Sequence, residues 1–380
     1  MREGSIAFCS IVSFTTNHLS FLKTLICLAR ENDLGSDLYV SRDMEEALLS
    51  DGSLNLNGVT IKSARLGRQR YQLLMDNLAR INQTQFLILD ELFSWRTEWR
   101  LAFRFPVTVP AYVTIHNVNT WLKPLLTTSV TAIAKRWLRK ALLRNFTGIT
   151  VFLDSAKDQA VSLGYKGLVY VLPFSIYDKI ERKPVGDRVQ IVIPGMVDTK
   201  RRRYDRFIKA LEDCDESVRN KIRVVLLGKP VGHEGHQVIE KSKHLQGLGF
   251  DIITFDQFIP ESKFVDSLQT SDYLFSDILE VYESDGQNEV YGQSKDSGIT
   301  AIIVSHALPA ILPLNYRAGR LFDGSVRKFA DSEDLKGILQ RIAADEVFIA
   351  KDIAVAASLE YTASMRSNFE ALVKKSTGRE

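Results

Sequence analysis

Cysteine is scarce. The 380-residue chain holds only Cys9, Cys27 and Cys214, with no paired spacing, which excludes a disulfide framework or a thiolate zinc site and predicts a reducing compartment. An excess of one charge is missing too. Forty-nine Lys and Arg against 46 Asp and Glu leave a net charge of +3, too little for general nucleic-acid binding, so any electrostatic function is local. No apolar run is long enough to span a membrane, and the opening Met1-Arg2-Glu3-Gly4 runs straight into a strand pattern, so neither a spanning helix nor a signal peptide is expected. The expected location is cytoplasmic. No Asp-x-Asp pair stands in a suitable loop, and His233-Glu234-Gly235-His236, read as an exposed loop, has too few partners for zinc, so neither a metal nor a resident cofactor is expected. Repeats and low-complexity tracts are absent.

The chain does have alternation. With 45% hydrophobic and 25% charged residues it can bury two cores, and its length favours two domains. Strand-like runs at 5–12, 37–40, 59–63, 86–89, 111–115, 149–153 and 168–172 alternate with helical patterns at 19–31, 68–81 and 130–145. A polar stretch at 177–187 interrupts the pattern, and strands at 190–193, 223–227, 251–255, 272–275 and 310–312 restart it. This is the form of βαβ units and parallel sheets. It predicts an α/β chain of two Rossmann-like domains facing each other across a cleft, 1–178 and 188–347, followed by a helical segment, 348–380.

Two openings share one grammar. In each, an apolar run breaks into a polar loop and then a helix: 5–12 followed by Phe14-Thr15-Thr16-Asn17-His18, and 190–194 followed by Gly195-Met196-Val197-Asp198-Thr199-Lys200-Arg201-Arg202-Arg203. Ligands of open parallel sheets bind beyond the carboxyl ends of strands, where helix N-termini offer N–H groups. In the first half, His18 starts a helix whose positive end would keep its imidazole neutral and able to take a proton from a hydroxyl. His116 ends a strand and points toward the cleft; Asp90 and Glu91 end another and are read either as a base or acceptor-binding pair or as a cap for a helix at 94–103. In the second half, Lys200–Arg203 would face a helix N-terminus, an arrangement suited to a phosphate. A second phosphate element is the loop containing Ser294, Lys295, Ser297 and Gly298, just before a helix.

Four local patterns resemble one family. Val113-Thr114-Ile115-His116-Asn117, Thr150-Val151-Phe152-Leu153-Asp154-Ser155, Pro194-Gly195 with its basic run, and His306-Ala307-Leu308-Pro309-Ala310-Ile311 occur in the order of the GT-B nucleotide-sugar glycosyltransferases, and within them resemble glycosyltransferase family 4 over nearly the whole chain. The resemblance implies metal-free transfer of a hexose from a nucleotide-sugar to a glycan or lipid-linked acceptor, as in polysaccharide or glycolipid biosynthesis. It implies His116 and His18 as catalytic groups and Thr16, Asn17, Asp90 and Glu91 on the acceptor side. It places the donor on Gly195, Lys200, Arg201, Arg202, Arg203, Ser294, Lys295, Ser297 and Gly298, with the final helix crossing back to the first domain. The chain departs from the family at Met196, where its Gly-Arg-x4-Lys pattern has arginine, and at Ser294 and Ile302, where family 4 has a Glu-x7-Glu pair. Those departures keep a divergent enzyme, a non-catalytic partner subunit and an epimerase of the same fold all in view, with Glu280, Glu283 and Glu289 read either as a substitute source of the carboxylate or as solvated loop acids.

Residues 121–144 mix Trp121, Leu122, Ile133 and Trp137 with Lys123, Lys135, Arg136, Arg139, Lys140 and Arg144. Two readings compete: a basic amphipathic helix on the inner face of a membrane, or a helix packed on the sheet with snorkelling charges.

Overall fold

A computed structural model describes residues 4–10, 18–52, 54–65, 69–90, 95–124, 130–178, 187–346 and 351–378. Seven parallel strands form the first sheet: β1 Ser5–Cys9, β2 Gly35–Ser41, β3 Val59–Ala64, β4 Leu87–Leu89, β5 Ala111–Thr114, β6 Gly148–Val151 and β7 Leu168–Val171, in the order β3-β2-β1-β4-β5-β6-β7. Strands β8 Val189–Pro194, β9 Ile222–Leu227, β10 Asp251–Ile253, β11 Tyr273–Phe275, β14 Ala310–Pro313 and β15 Val326–Phe329 form the second, in the order β10-β9-β8-β11-β14-β15. Between β11 and β14 in sequence lies a separate antiparallel pair, β12 Val281–Ser284 and β13 Gln287–Val290. The central strands are apolar on both faces, as Leu87-Ile88-Leu89 and Ile191-Val192-Ile193 show, because helices cover both sides of a parallel sheet.

Strand order places the openings. Chain progression reverses between β1 and β4 in the first sheet and between β8 and β11 in the second, and ligands of doubly wound sheets sit at such switch points. The last helix, Lys351–Thr377, packs Phe369, Leu372 and Val373 into the core formed around β1 and β2. Its Ser376 hydroxyl meets the Tyr112 hydroxyl at 2.9 Å, and Arg366 donates twice to Glu31 at 2.8 Å.

Several local expectations need correction. The pattern at 68–81 is two helices, Gln69–Asp76 and Leu78–Ile81. Residues 121–144 are not one helix: Val118–Leu122 ends before Pro124, whose fixed φ and missing N–H oppose helix continuation, and a second helix runs Val130–Leu143. Trp121 is buried rather than membrane-facing, with the Arg139 guanidinium 5.3 Å from its ring centre. His233 and His236 lie on the helix Gly232–Gly247, not in a loop. The polar loop around Glu283 and Glu289 is the hairpin β12–β13, closed by Asp285 and Gly286 with φ of 48° and 71°. Two consecutive positive φ values fit a tight turn that follows strand twist, and Asp-Gly between alternating residues is its sequence mark.

Candidate functional site at the domain seam

Strand ends explain why residues far apart in sequence converge. Ser10, Asp90 and His116 follow the carboxyl ends of β1, β4 and β5, which are neighbours in the sheet, so their side chains emerge at one edge, with adjacent strands about 4.8 Å apart. The Asp90 N–H donates to the Cys9 carbonyl at 2.9 Å, pinning the two strand ends. His18 reaches the same point from the start of the helix Leu19–Glu31.

Asp90 is the centre of this cluster and is buried. Its Oδ2 meets His18 Nδ1 at 2.6 Å and accepts from the Ser10 hydroxyl at 3.1 Å, while its Oδ1 meets His116 Nε2 at 3.1 Å. Burial alone would raise the Asp90 carboxyl, but the charges and hydrogen bonds of the two imidazoles outweigh it and hold the group well below the usual carboxylate range. Burial is also the largest influence on His116, whose pKa is pushed down to about 4 against the raising effect of Asp90. At neutral pH the arrangement is therefore an ionised carboxylate accepting N–H bonds from two rings. The His18 ring meets Asp90 through Nδ1, and its other nitrogen, Nε2, is the second group of that ring able to exchange a proton. The two rings stack, their centres 4.6 Å apart and their planes within 10°, and Phe174 and Phe152 close edge-on against them. Of the two, His18 is the more open, at 21% side-chain exposure against 14% for His116.

The ligating atoms of His18, Asp90 and His116 lie within 4.8 Å of one another, so this trio could also hold a divalent cation. The direct bonds to Asp90 already pair its oxygens with ring nitrogens. On the same side, Thr16, Asn17 and Glu91 lie outside the described residues.

The basic run of the second half does not act as one block. Residues 198–203 form a turn followed by an isolated bridge between Arg202 and Ile278, and the helix begins at Asp205. Arg202 is buried and donates to the Ser276 hydroxyl at 3.3 Å and the Met196 carbonyl at 3.2 Å, bridging the ends of β8 and β11. Gly195, with φ of 93°, lies beneath it; an added Cβ would stand 3.1 Å from the guanidinium. Lys200, Arg201 and Arg203 are exposed. The neighbouring Arg206 grips buried Asp277 through two bonds of 2.7 and 2.5 Å.

The Ser/Gly loop is divided as well. Ser294 is buried and donates to Glu289 at 2.6 Å. The Lys295 ammonium donates to the Asn117 side chain at 2.6 Å, next to His116 in sequence. The hydroxyl of Ser297 meets that of Tyr316 at 2.9 Å, and its N–H donates to Asp296, whose carboxyl burial pushes up. Gly298 caps the helix Ile299–His306 in the left-handed region, with open space where a Cβ would be.

Glu289 overturns the reading of this region as solvated loop. It is fully buried, and its carboxylate accepts from the N–H groups of Asn119 at 3.2 Å and Thr120 at 2.6 Å, in the first turn of the helix Val118–Leu122. The Val118 N–H donates to the Ser294 carbonyl at 3.0 Å, and Arg139 and Lys135 both reach Asp285 at the hairpin turn. A hairpin of the second half thereby caps a helix of the first. The signal for it was Asp285-Gly286; Ser10 was signalled only by its place one residue past β1.

No family model matches the chain, and no curated protein matches it in sequence. Solved structures do match in fold. The Anabaena HepE protein in complex with UDP is 10% identical, with 98% of this chain and 100% of that chain covered and a TM-score of 0.65. A glycosyltransferase from Rickettsia africae is 10% identical over all of both chains, with a TM-score of 0.64. Sucrose-phosphate synthase from Thermosynechococcus elongatus is 12% identical, with 98% of this chain and 97% of that chain covered and a TM-score of 0.59. The chain has the GT-B fold, two Rossmann-like domains facing each other across a cleft.

Proposed function

We propose that this chain is a metal-independent glycosyltransferase that moves a sugar from a nucleotide-sugar donor to a hydroxyl of a glycan or lipid-linked acceptor. The observation that carries the reading is the pair of histidines sharing Asp90 at the first switch point. The His18 imidazole takes the proton of the acceptor hydroxyl as its oxygen bonds to the anomeric carbon of the sugar. The bond from that carbon to the nucleotide diphosphate breaks, and the diphosphate leaves with the electron pair. Asp90 holds the ring that gains the proton and stabilises its charge, and neutral His116 braces the same carboxylate. Lys200, Arg201 and Arg203 supply cations for the leaving diphosphate, and the absence of a side chain at Gly195 and Gly298 lets it approach the backbone. The UDP complex of the Anabaena relative supports a nucleotide ligand, and the local motif matches favour a divergent branch of glycosyltransferase family 4.

A second reading is favoured by one part of the structure. Arg202, Ser294 and Asp296 are taken up by internal hydrogen bonds on the donor side, which fits a partner subunit that has lost turnover. Calorimetric titration with UDP, GDP, ADP and dTDP sugars, followed by a search for nucleoside diphosphate release with sugar acceptors, separates the two. Binding with release supports the enzyme, and no binding to any of the four sinks it.

A further inference from the structure

Helices Trp95–Phe103 and Val130–Leu143 pack together and turn their large apolar side chains in two directions. Inward go Leu101, Leu138 and Leu142. The Asn145 side chain ties the pair by donating to the carbonyls of Leu101 and Ala102 at 3.0 and 2.9 Å, and Arg139 stands 3.9 Å from buried Glu98. Outward go Trp99, Phe103, Ile133 and Trp137, exposed by 52%, 51%, 51% and 60%. Their rings form one surface: Trp99 and Phe103 have centres 5.0 Å apart, and Phe103 and Trp137 5.9 Å. Soluble proteins rarely leave such a cluster uncovered unless it meets another phase or partner.

Charge selects the partner. From residue 95 to residue 144 the chain carries nine Lys and Arg and the single acid Glu98, which is buried. The remainder of the chain therefore holds more acids than bases. Exposed Arg100 follows Trp99 and exposed Arg104 follows Phe103 just past the end of the first helix, while exposed Lys140 lies one turn beyond Trp137 and exposed Arg144 just past the end of the second helix. Lys135 and Arg139 are matched by Asp285 of the hairpin; tryptophan flanked by the remaining cations suits the headgroup level of a bilayer whose surface is negative. Among the described residues no helix is long and apolar enough to cross a membrane, so the contact is a surface one.

We propose that this aromatic face docks the protein on an anionic lipid membrane. The helix Trp95–Phe103 starts five residues after Asp90, a span of at most about 18 Å of chain, so a docked molecule presents the His18 edge near the bilayer; this last consequence rests on the transferase reading, whereas docking itself does not.

The test is sedimentation of the full chain, without nucleotide, on sucrose-loaded vesicles of phosphatidylcholine mixed with phosphatidylglycerol and on vesicles of phosphatidylcholine alone. Binding is expected to the mixed vesicles only. The charge variant Arg104→Gln/Lys140→Gln/Arg144→Gln should lower partitioning about a hundredfold, and Trp99→Ser/Trp137→Ser should release the protein as well, with circular dichroism showing both folded. No binding to mixed vesicles, or binding that neither variant weakens, overturns the proposal. So does a dimer in sedimentation velocity that the tryptophan variant dissolves while the wild type ignores vesicles, because the face would then cover a second copy. Nucleotide binding plays no part in these readouts, so their failure leaves the transferase reading standing.

Discussion

His18 and His116 lie on the two oxygens of a single carboxylate, their rings stacked 4.6 Å apart. Two imidazoles this close cannot both carry charge cheaply, and burial with the neighbouring charges of His18 and Lys295 helps to keep His116 neutral. The stack thus divides labour: His116 is the more enclosed ring and braces the carboxylate, and His18 is the more open one.

Asp90→Asn should lower turnover by about 10²–10⁴-fold with donor affinity near wild type, since the carboxylate acts through the charge and tautomer of His18. His18→Ala should fall in the same range, and the double variant should lose little more than either single one, because residues acting as a unit are not additive. Steady-state kinetics with calorimetry on each variant checks this; additive losses would separate the two residues.

The depressed His116 pKa makes stability depend on pH. Unfolded, the imidazole takes a proton below about 6.5; folded, it does so only near about 4. Within that window the unfolded state binds more protons, so stability falls as pH drops from about 6.5 toward about 4. Thermal melts of wild type and His116→Gln across this range are the measurement, and the variant should show the shallower slope.

Removing the Glu289 carboxylate takes the acceptor from the N–H groups of Asn119 and Thr120 and from the proton of the Ser294 hydroxyl. Each unsatisfied buried group costs about 1–3 kcal/mol, so Glu289→Ala should lower the melting temperature by several degrees. Its signature is local: hydrogen exchange at Asn119 and Thr120 should speed up more than exchange in β8 and β9. Uniform acceleration across both sheets would show that the hairpin contact is not a separate unit.

Arg201 and Arg202, adjacent in sequence, should behave oppositely. Arg201→Ala, at an exposed position, should weaken nucleotide-sugar binding about tenfold or more and leave the melting temperature unchanged. Arg202→Ala removes a buried bridge between strand ends and should lower the melting temperature first. Thermal shift and titration on both variants decide it, and unchanged donor affinity in Arg201→Ala would take that residue out of the donor site.

The fold class was legible because parallel strands buried on both faces leave continuous apolar runs such as Leu87-Ile88-Leu89 and Ile191-Val192-Ile193, separated by helical periods. His18 and His116 stood out because each sits where such a run or its loop ends. Residues 281–290 were less legible: their strands are short and polar, and only Asp285-Gly286 marked the turn. The burial of Glu289 had no local sign, since its partners, Asn119 and Thr120, lie about 170 residues earlier in the chain.

Local composition by itself determined which residues end strands and which begin helices, because side-chain periodicity and turn chemistry act over a few residues. It could not determine which strands become neighbours. β1 pairs with β4 across some 80 residues, and β4 with β5, and only that order brings Ser10, Asp90 and His116 to one edge. The same holds for charge. Lys200 to Arg203 read as four equivalent cations, yet packing buries Arg202 between β8 and β11 and leaves its neighbours in solvent, because burial is set by the elements that close over a side chain and not by the side chain itself.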